Sequence, residues 1–191
     1  HVFLGDYIDR GKDSAAVLDL LIGRGETHRL VCLRGNHEIF LAEFLTNPGV
    51  LKPWSEYGAL PTLASYGLSP AFKASPKEQA ELSDNLRIAM PESHRKFLAG
   101  LQPSFTCGDF FFVHAGVRPG TRLASQHEED LLWIRDDFLL HEKPFEKIIV
   151  HGHTPVREPD VRQNRINIDT GAYATGRLTC LRLDGDKIEF I

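Results

Sequence analysis

The chain has 191 residues, a formal net charge of -4, 42% hydrophobic residues and 25% charged residues. This is long enough to bury the core of one domain and ordinary for a globular protein. It offers no basic footprint for nucleic acid and no run of the ~18 apolar residues that span a bilayer, so neither partner is expected.

The elements alternate from the start. Residues 1–5 (HVFLG) form an apolar run expected to be a buried strand, and because it reads as the interior of a domain, natural sequence is expected to precede residue 1. The run enters a polar loop, GDYIDRG. The segment SAAVLDLLIGRG is then predicted as a helix, with Asp13 or Ser14 as N-cap and Gly23 or Gly25 closing it. Residues 29–33 (RLVCL) make a second buried strand, ending in the loop RGNHE. Strand, loop, helix, strand, loop, helix is βαβ grammar, in which ligands gather at the carboxyl ends of the strands.

From residue 38 to 101 the pattern is mainly helical and reads as an insertion, 41–101, within a single domain over 1–191. HEIFLAEFL has helical spacing, Ser75-Pro76-Lys77-Glu78 is a capping box with proline at its first turn, and PESHRKFLAGL stops at Gly100. After Pro103 strands return. SFTC and FFFVHAG flank Gly108-Asp109 as a hairpin, and KIIVHGHTP, RINID, GRLTCLRL and KIEFI supply four more strands, the last two joined through Asp184-Gly185-Asp186. Cys32, Cys107 and Cys180 lie in strand-like segments without metal-binding spacing. They read as small buried hydrophobes of a reducing compartment, which points to the cytoplasm.

Four polar motifs follow predicted strands: Gly5-Asp6-Tyr7-Ile8-Asp9-Arg10-Gly11, Gly35-Asn36-His37-Glu38, Val113-His114-Ala115-Gly116 and His151-Gly152-His153-Thr154-Pro155. Their carboxylate, amide and imidazole groups suit hard to borderline divalent metals, and with no thiolate among them a structural zinc site is not expected. Taken singly, each has a plainer reading: Asp6, Asp9 and Arg10 could be a salt-bridged turn, and His114 a core histidine. The set of four outweighs those readings. His151 reads as a strand residue beside the site. His1, His28, His94, His127 and His141 lie outside every motif and read as surface residues, and Asp169-Thr170-Gly171-Ala172 reads as a turn.

Together the motifs resemble those of calcineurin-like metallophosphoesterases, and GD-x-x-DRG resembles the phosphoprotein phosphatase branch, in particular the bacterial and phage-type serine/threonine protein phosphatases. The resemblance implies an α/β fold, a two-sheet β-sandwich flanked by helices (α/β/β/α) with a helical insertion. It also implies two divalent metal ions, manganese first, with iron or zinc compatible. Asp6 would bridge the metals, and Asn36, His114 and His153 would complete the second metal's protein ligands. A hydroxide bridging the two ions would attack phosphorus. His37 would protonate the leaving group, Asp9 would orient that imidazole, and Arg10 would grip phosphate oxygens, with Asn36 beside it. A second guanidinium, Arg135, comes from Trp133-Ile134-Arg135, which looks like the W-x-R segment of phage-type phosphatases.

One family motif is absent. No GD-x-H occurs in the chain, so Asp6 is the only first-metal ligand that can be named, and the missing ligands are expected upstream of residue 1. A chain so shortened is expected to be weakly active or inactive by itself. The leading expectation is hydrolysis of phosphate monoesters, phosphoserine and phosphothreonine in proteins first. The alternative is symmetrical cleavage of a dinucleoside polyphosphate such as diadenosine tetraphosphate. A non-catalytic binding module of the same fold is a third reading, opposed by the presence of Asp9, Arg10 and His37, which serve chemistry more than architecture.

Overall fold

The structure, a computed structural model, describes residues 1–71, 73–185 and 187–191. They form two compact units, His1–Gln102 and Pro103–Ile191.

In the first unit β1 (Val2–Phe3) pairs in parallel with β2 (Val31–Cys32), Val2 opposite Val31 and Phe3 opposite Cys32. The crossover between them is α1 (Ser14–Gly25), with Asp13 at the N-cap position but making no side-chain cap hydrogen bond, and with Gly23 inside the helix. Both strands are shorter than their apolar runs. After β1 the chain leaves the pleat at Gly5, whose φ of 99° suits a residue without Cβ, and it turns into the polar loop. Beyond β2, Leu33 bridges to Gln102. The next elements are α2 (Asn36–Phe44), a 3-10 turn (Pro48–Val50), α3 (Leu51–Glu56), α4 (Ala59–Ser65), α5 (Pro76–Ala89) and α6 (Glu92–Ala99). The capping box of α5 forms as expected: Glu78 N–H donates to the Ser75 hydroxyl, and Ser75 N–H to the Glu78 carboxylate.

Leu18, Leu41, Phe44, Trp54, Leu63, Leu86 and Met90 make the buried heart of this unit, drawn from α1 to α5 and the residue after it. Each such side chain contributes ~1.5–3 kcal/mol by leaving water, which holds helices otherwise too short to persist. His94, expected at the surface, is buried on α6. The Tyr66 hydroxyl meets its Nδ1 at 2.7 Å and Asp19 meets its Nε2 at 2.9 Å, and these two partners make the burial tolerable. His1, His28 and His127 are exposed as expected, and His141 is half-buried.

The second unit contains β3 (Ser104–Cys107), β4 (Phe110–Val113), α7 (Glu128–Trp133), α8 (Asp136–Leu139), β5 (Ile148–His151), β6 (Asp160–Val161), β7 (Arg165–Asn167), α9 (Ala172–Thr175), β8 (Leu181–Asp184) and β9 (Lys187–Phe190). Five strands form a mixed sheet in the order β3-β4-β5-β7-β6. β3 and β4 are the predicted hairpin, turning at Gly108 with φ 55°. β4, β5 and β7 run parallel; the apolar runs of β4 and β5, FFFV and IIV, suit strands covered on both faces, while β7 is the buried Arg165-Ile166-Asn167. Phe111, Val113, Leu131, Ile134, Phe138 and Ile149 form the core of this unit. β8 and β9 pair separately and antiparallel; Asp186 of their predicted turn lies outside the described residues.

The cysteines correct an expectation. Cys107 and Cys180 are exposed and only Cys32 is partly buried, all three as free thiols. Cys107 ends an edge strand, where an apolar run does not guarantee cover. Among the described residues no helix is long and apolar enough to cross a membrane.

Candidate active site

In the first unit two loops leave the parallel strand pair side by side. Their close approach requires Gly35: a Cβ there would lie 2.5 Å from the Asp6 backbone nitrogen. The fully buried Glu38, in the first turn of α2, ties the loops together. Its carboxylate accepts from Gly35 N at 2.8 Å, Asp6 N at 3.0 Å and Tyr7 N at 2.8 Å. Burial, and secondarily the charge of Asp6, push the Glu38 carboxyl up to about 7, against the pull of the three backbone donors.

The loop is strained where chemistry is expected. Among the described residues four non-glycines adopt positive φ: Asp6 (59°), Asp9 (71°), Arg10 (60°) and His153 (64°). Such conformations cost of order 1–3 kcal/mol each and persist only where surrounding structure enforces them. All four are residues that the sequence motifs single out.

Asp9 is held from several sides. His37 Nδ1 lies 2.7 Å from Asp9 Oδ2, the Trp54 indole N–H donates to the same oxygen at 2.8 Å, and the Thr62 hydroxyl donates to Oδ1 at 2.6 Å. A carboxylate only accepts, so the proton between Asp9 and His37 sits on Nδ1 and Nε2 becomes the working nitrogen. Nε2 lies 3.9 Å from Oδ2 of Asp6, whose side chain is partly exposed. Burial pulls the imidazole down, but the Asp9 hydrogen bond and the charges of Asp6 and Asp9 outweigh it. The net effect, with Arg10 opposing, is upward. Arg10 is exposed, its backbone N–H donating to Gly58 O at 3.1 Å. Asn36 is buried at the N-terminus of α2.

In the second unit β4 leads directly into His114, and β5 into the His151–Gly152–His153 turn. Gly152 N–H donates to His114 O at 2.8 Å, which joins the two turns. His114 Nε2 and His153 Nδ1 face each other at 3.0 Å, both residues buried. Two nitrogens on one ion at ~2.1 Å and at right angles would be roughly 3.0 Å apart, so this pair fits a shared divalent metal without rearrangement. Trp133 stands edge-on to His153 at 6.1 Å. Arg135 donates to the Thr154 hydroxyl of the same turn at 3.1 Å, while Asp137 is taken by Arg118. His151 is fully buried, its Nδ1 on Gly152 O at 3.1 Å and its ring edge-on to Phe138.

Asp6, Asp9, Asn36 and His37 are thus gathered in one unit, and His114, His153 and Arg135 around one turn of the other. Glu38, Trp54 and Thr62 join these residues without a role assigned by the motifs. Glu38 was visible as the last letter of GNHE; Trp54 and Thr62 carry no local signal.

The calcineurin-like phosphoesterase family model matches residues 1–188. The chain belongs to that family. Its α/β fold, with helices and mixed sheets, is the metallophosphoesterase fold expected from the motifs, and phosphoesterases of this family use divalent metals. The chain is 29% identical over 196 residues to bis(5'-nucleosyl)-tetraphosphatase PrpE [asymmetrical] of Anoxybacillus flavithermus, covering 94% of this chain and 74% of the relative. It is 28% identical over 206 residues to the protein of the same name from Halalkalibacterium halodurans, covering 99% and 76%. A solved structure titled "Crystal structure of a putative diadenosine tetraphosphatase" superposes with a TM-score of 0.64 at 20% identity, over 100% of this chain and 78% of that one.

These relatives correct the leading functional expectation. They are named for dinucleoside tetraphosphates and not for phosphoproteins, and for asymmetrical and not symmetrical cleavage. The motifs identify the family, calcineurin-like phosphoesterase, and say little about the substrate, because specificity lies in the surface around a shared centre.

Proposed function

We propose that the chain is a metal-dependent hydrolase that cleaves dinucleoside tetraphosphates asymmetrically. The observation that carries the substrate is the likeness, over nearly the whole chain, to relatives bearing that name. The His37–Asp9 pair at 2.7 Å supports a catalytic role over a binding module, since a buried imidazole–carboxylate pair with Asp9 held at positive φ is costly to keep without chemistry. The match over residues 1–188 favours one family domain, with residues 41–101 as its helical insertion.

In this reading the residues that would serve as ligands of divalent ions, manganese first, are Asp6 and Asn36 of the first unit and His114 and His153 of the second. When bound, the ions supply Lewis-acid activation of water and neutralise charge on the phosphates. His37 gives the proton on Nε2 to the oxygen of the departing nucleotide, and Asp9 holds the ring for that transfer. The planar forks of Arg10 and Arg135 and the Asn36 amide bind non-bridging phosphate oxygens. The substrate is a small dinucleoside polyphosphate, cleaved at a phosphoanhydride bond. The free thiols favour a cytoplasmic setting.

Product analysis tests this directly. The full natural chain, loaded with manganese, is expected to convert diadenosine tetraphosphate into ATP and AMP, separated by ion-exchange chromatography. Two molecules of ADP would refute asymmetrical cleavage and leave the hydrolase reading standing. No turnover by the metal-loaded chain would refute both.

A further inference from the structure

We propose that the α3–α4 helical hairpin positions the proton donor, and that Trp54 and Thr62 are positioning residues for His37 acting through Asp9. This rests on the reading of His37 as the general acid. Segment 41–101 would ordinarily be assigned to the substrate cleft, yet two of its side chains point away from solvent and close on the catalytic carboxylate. Trp54 and Thr62 are both fully buried, and each donates to Asp9, one to each carboxylate oxygen. Thr62 is used twice: its hydroxyl also accepts from Asp9 N at 2.8 Å and lies 3.1 Å from the Ser14 hydroxyl. The Asp9 side chain is therefore fixed in rotation by donors on both oxygens, and the Oδ2 that His37 shares cannot turn away without losing Trp54 or Thr62.

The frame closes on itself. Trp54 packs on Phe44, ring centroids 5.3 Å apart, and Phe44 ends the helix α2 that starts with Asn36-His37. Between α3 and α4, Gly58 adopts φ 104° and presents its carbonyl to Arg10 N; a Cβ there would lie 2.8 Å from Arg10 Cγ. One short hairpin thus sets the backbone of Arg10 and the carboxylate of Asp9 together. A buried tryptophan needs some acceptor for its N–H. Here that acceptor is the group that orients the imidazole, and a threonine from the next helix completes the grip.

The test uses a ratio. Thr62→Val keeps the side-chain shape and Trp54→Phe keeps an aromatic ring, though a smaller one; each removes its donor to Asp9, and Thr62→Val also removes the acceptor of Asp9 N. Hydrolysis of phenyl phosphate, whose phenol has a pKa of about 10, needs a proton donor far more than hydrolysis of p-nitrophenyl phosphate, a better leaving group. We expect either variant to lose ~10-fold or more in kcat on phenyl phosphate and less than ~3-fold on p-nitrophenyl phosphate, with His37→Ala showing the same bias more strongly. Both substrates are read on one protein preparation, so a fraction that fails to fold cancels from the ratio. Thr62→Ser, which keeps the hydroxyl, is expected to restore it. If His37→Ala discriminates and neither Trp54→Phe nor Thr62→Val does, the positioning role is refuted alone. If His37→Ala loses both substrates equally, the general-acid reading fails and takes this proposal with it.

Discussion

Gly35 stands where the two loops of the first unit come closest, and replacing it with alanine probes how tightly they are fitted. The added Cβ would lie 2.2 Å from Asp6 Oδ1, 2.5 Å from Asp6 N and 2.9 Å from Glu38 Oε2. The carboxylate oxygens can swing aside, but the backbone nitrogen cannot move without the loop. To reach an ordinary contact of 3.4 Å, Asp6 must retreat by about 0.9 Å, the difference between 3.4 and 2.5. That shift pulls Asp6 N and Tyr7 N from Glu38, now 3.0 and 2.8 Å away, and drags Asp9 relative to His37. Overpacking costs ~1–3 kcal/mol, and a weakened charged hydrogen bond adds ~1.5 kcal/mol. At ~2–4 °C per kcal/mol for a chain of this size, Gly35→Ala should lower Tm by roughly 5–15 °C. Misplacement by almost 1 Å should also cut kcat/KM by ~10²-fold. Gly23→Ala is the control of opposite sign: it lies inside α1 with nothing within 4 Å of the new Cβ, and should stabilise by ~0.5–1 kcal/mol. Calorimetry and steady-state kinetics on both variants decide the matter. A Gly35→Ala protein that melts within about 1 °C of wild type at full activity would refute the claim that these loops are sterically locked.

Two further outcomes follow from ionisable groups. Burial, the largest cause, then the charges of Arg165 and His114, hold the His151 imidazole down at about 3, against the Gly152 carbonyl and Asp160. The unfolded chain protonates this group below about 6.5 and the folded one only near 3, so the folded state loses stability as pH falls through that window, by ~1.4 kcal/mol per unit at most. Urea titrations of metal-free protein between pH 7 and 4 should show a shallower acid slope for His151→Gln, and an unchanged slope would count against burial of a neutral ring. Cys107 and Cys180 are exposed, whereas burial raises the Cys32 thiol, with hydrogen bonding from Tyr7 opposing it. Iodoacetamide at neutral pH should modify two thiols quickly and Cys32 slowly; three equal rates would contradict that placement.

What could be read from the sequence, and what could not, divides by the range of the interactions involved. The capping box at Ser75–Glu78, the hairpin at Gly108 and the stop of α6 at Gly100 are fixed by residues within four positions of one another, and each formed where expected. The candidate donors at strand ends were found because a strand followed by a polar loop is itself a local pattern. His94 was misplaced because its burial depends on Asp19 and Tyr66, 75 and 28 residues away, and nothing around position 94 announces them. The small elements β6, α8 and α9 escaped for the same reason: two to four residues hold no period of their own.

Asp9 shows the division within one residue. Its motif identifies it as the partner of His37, 28 residues on, yet the donors that fix its carboxylate come from positions 45 and 53 residues downstream. Those positions lie in helices of six and seven residues that read, by composition, as ordinary insertion. A motif records which groups take part in the chemistry. The side chains that hold those groups in register are set by packing, and packing becomes visible only when the chain is folded. The same distinction accounts for the substrate: in the proposed reading the letters of GD-x-x-DRG and GNHE serve the metal and the proton, and leave the choice between a phosphoprotein and a dinucleotide to surfaces that no short pattern encodes.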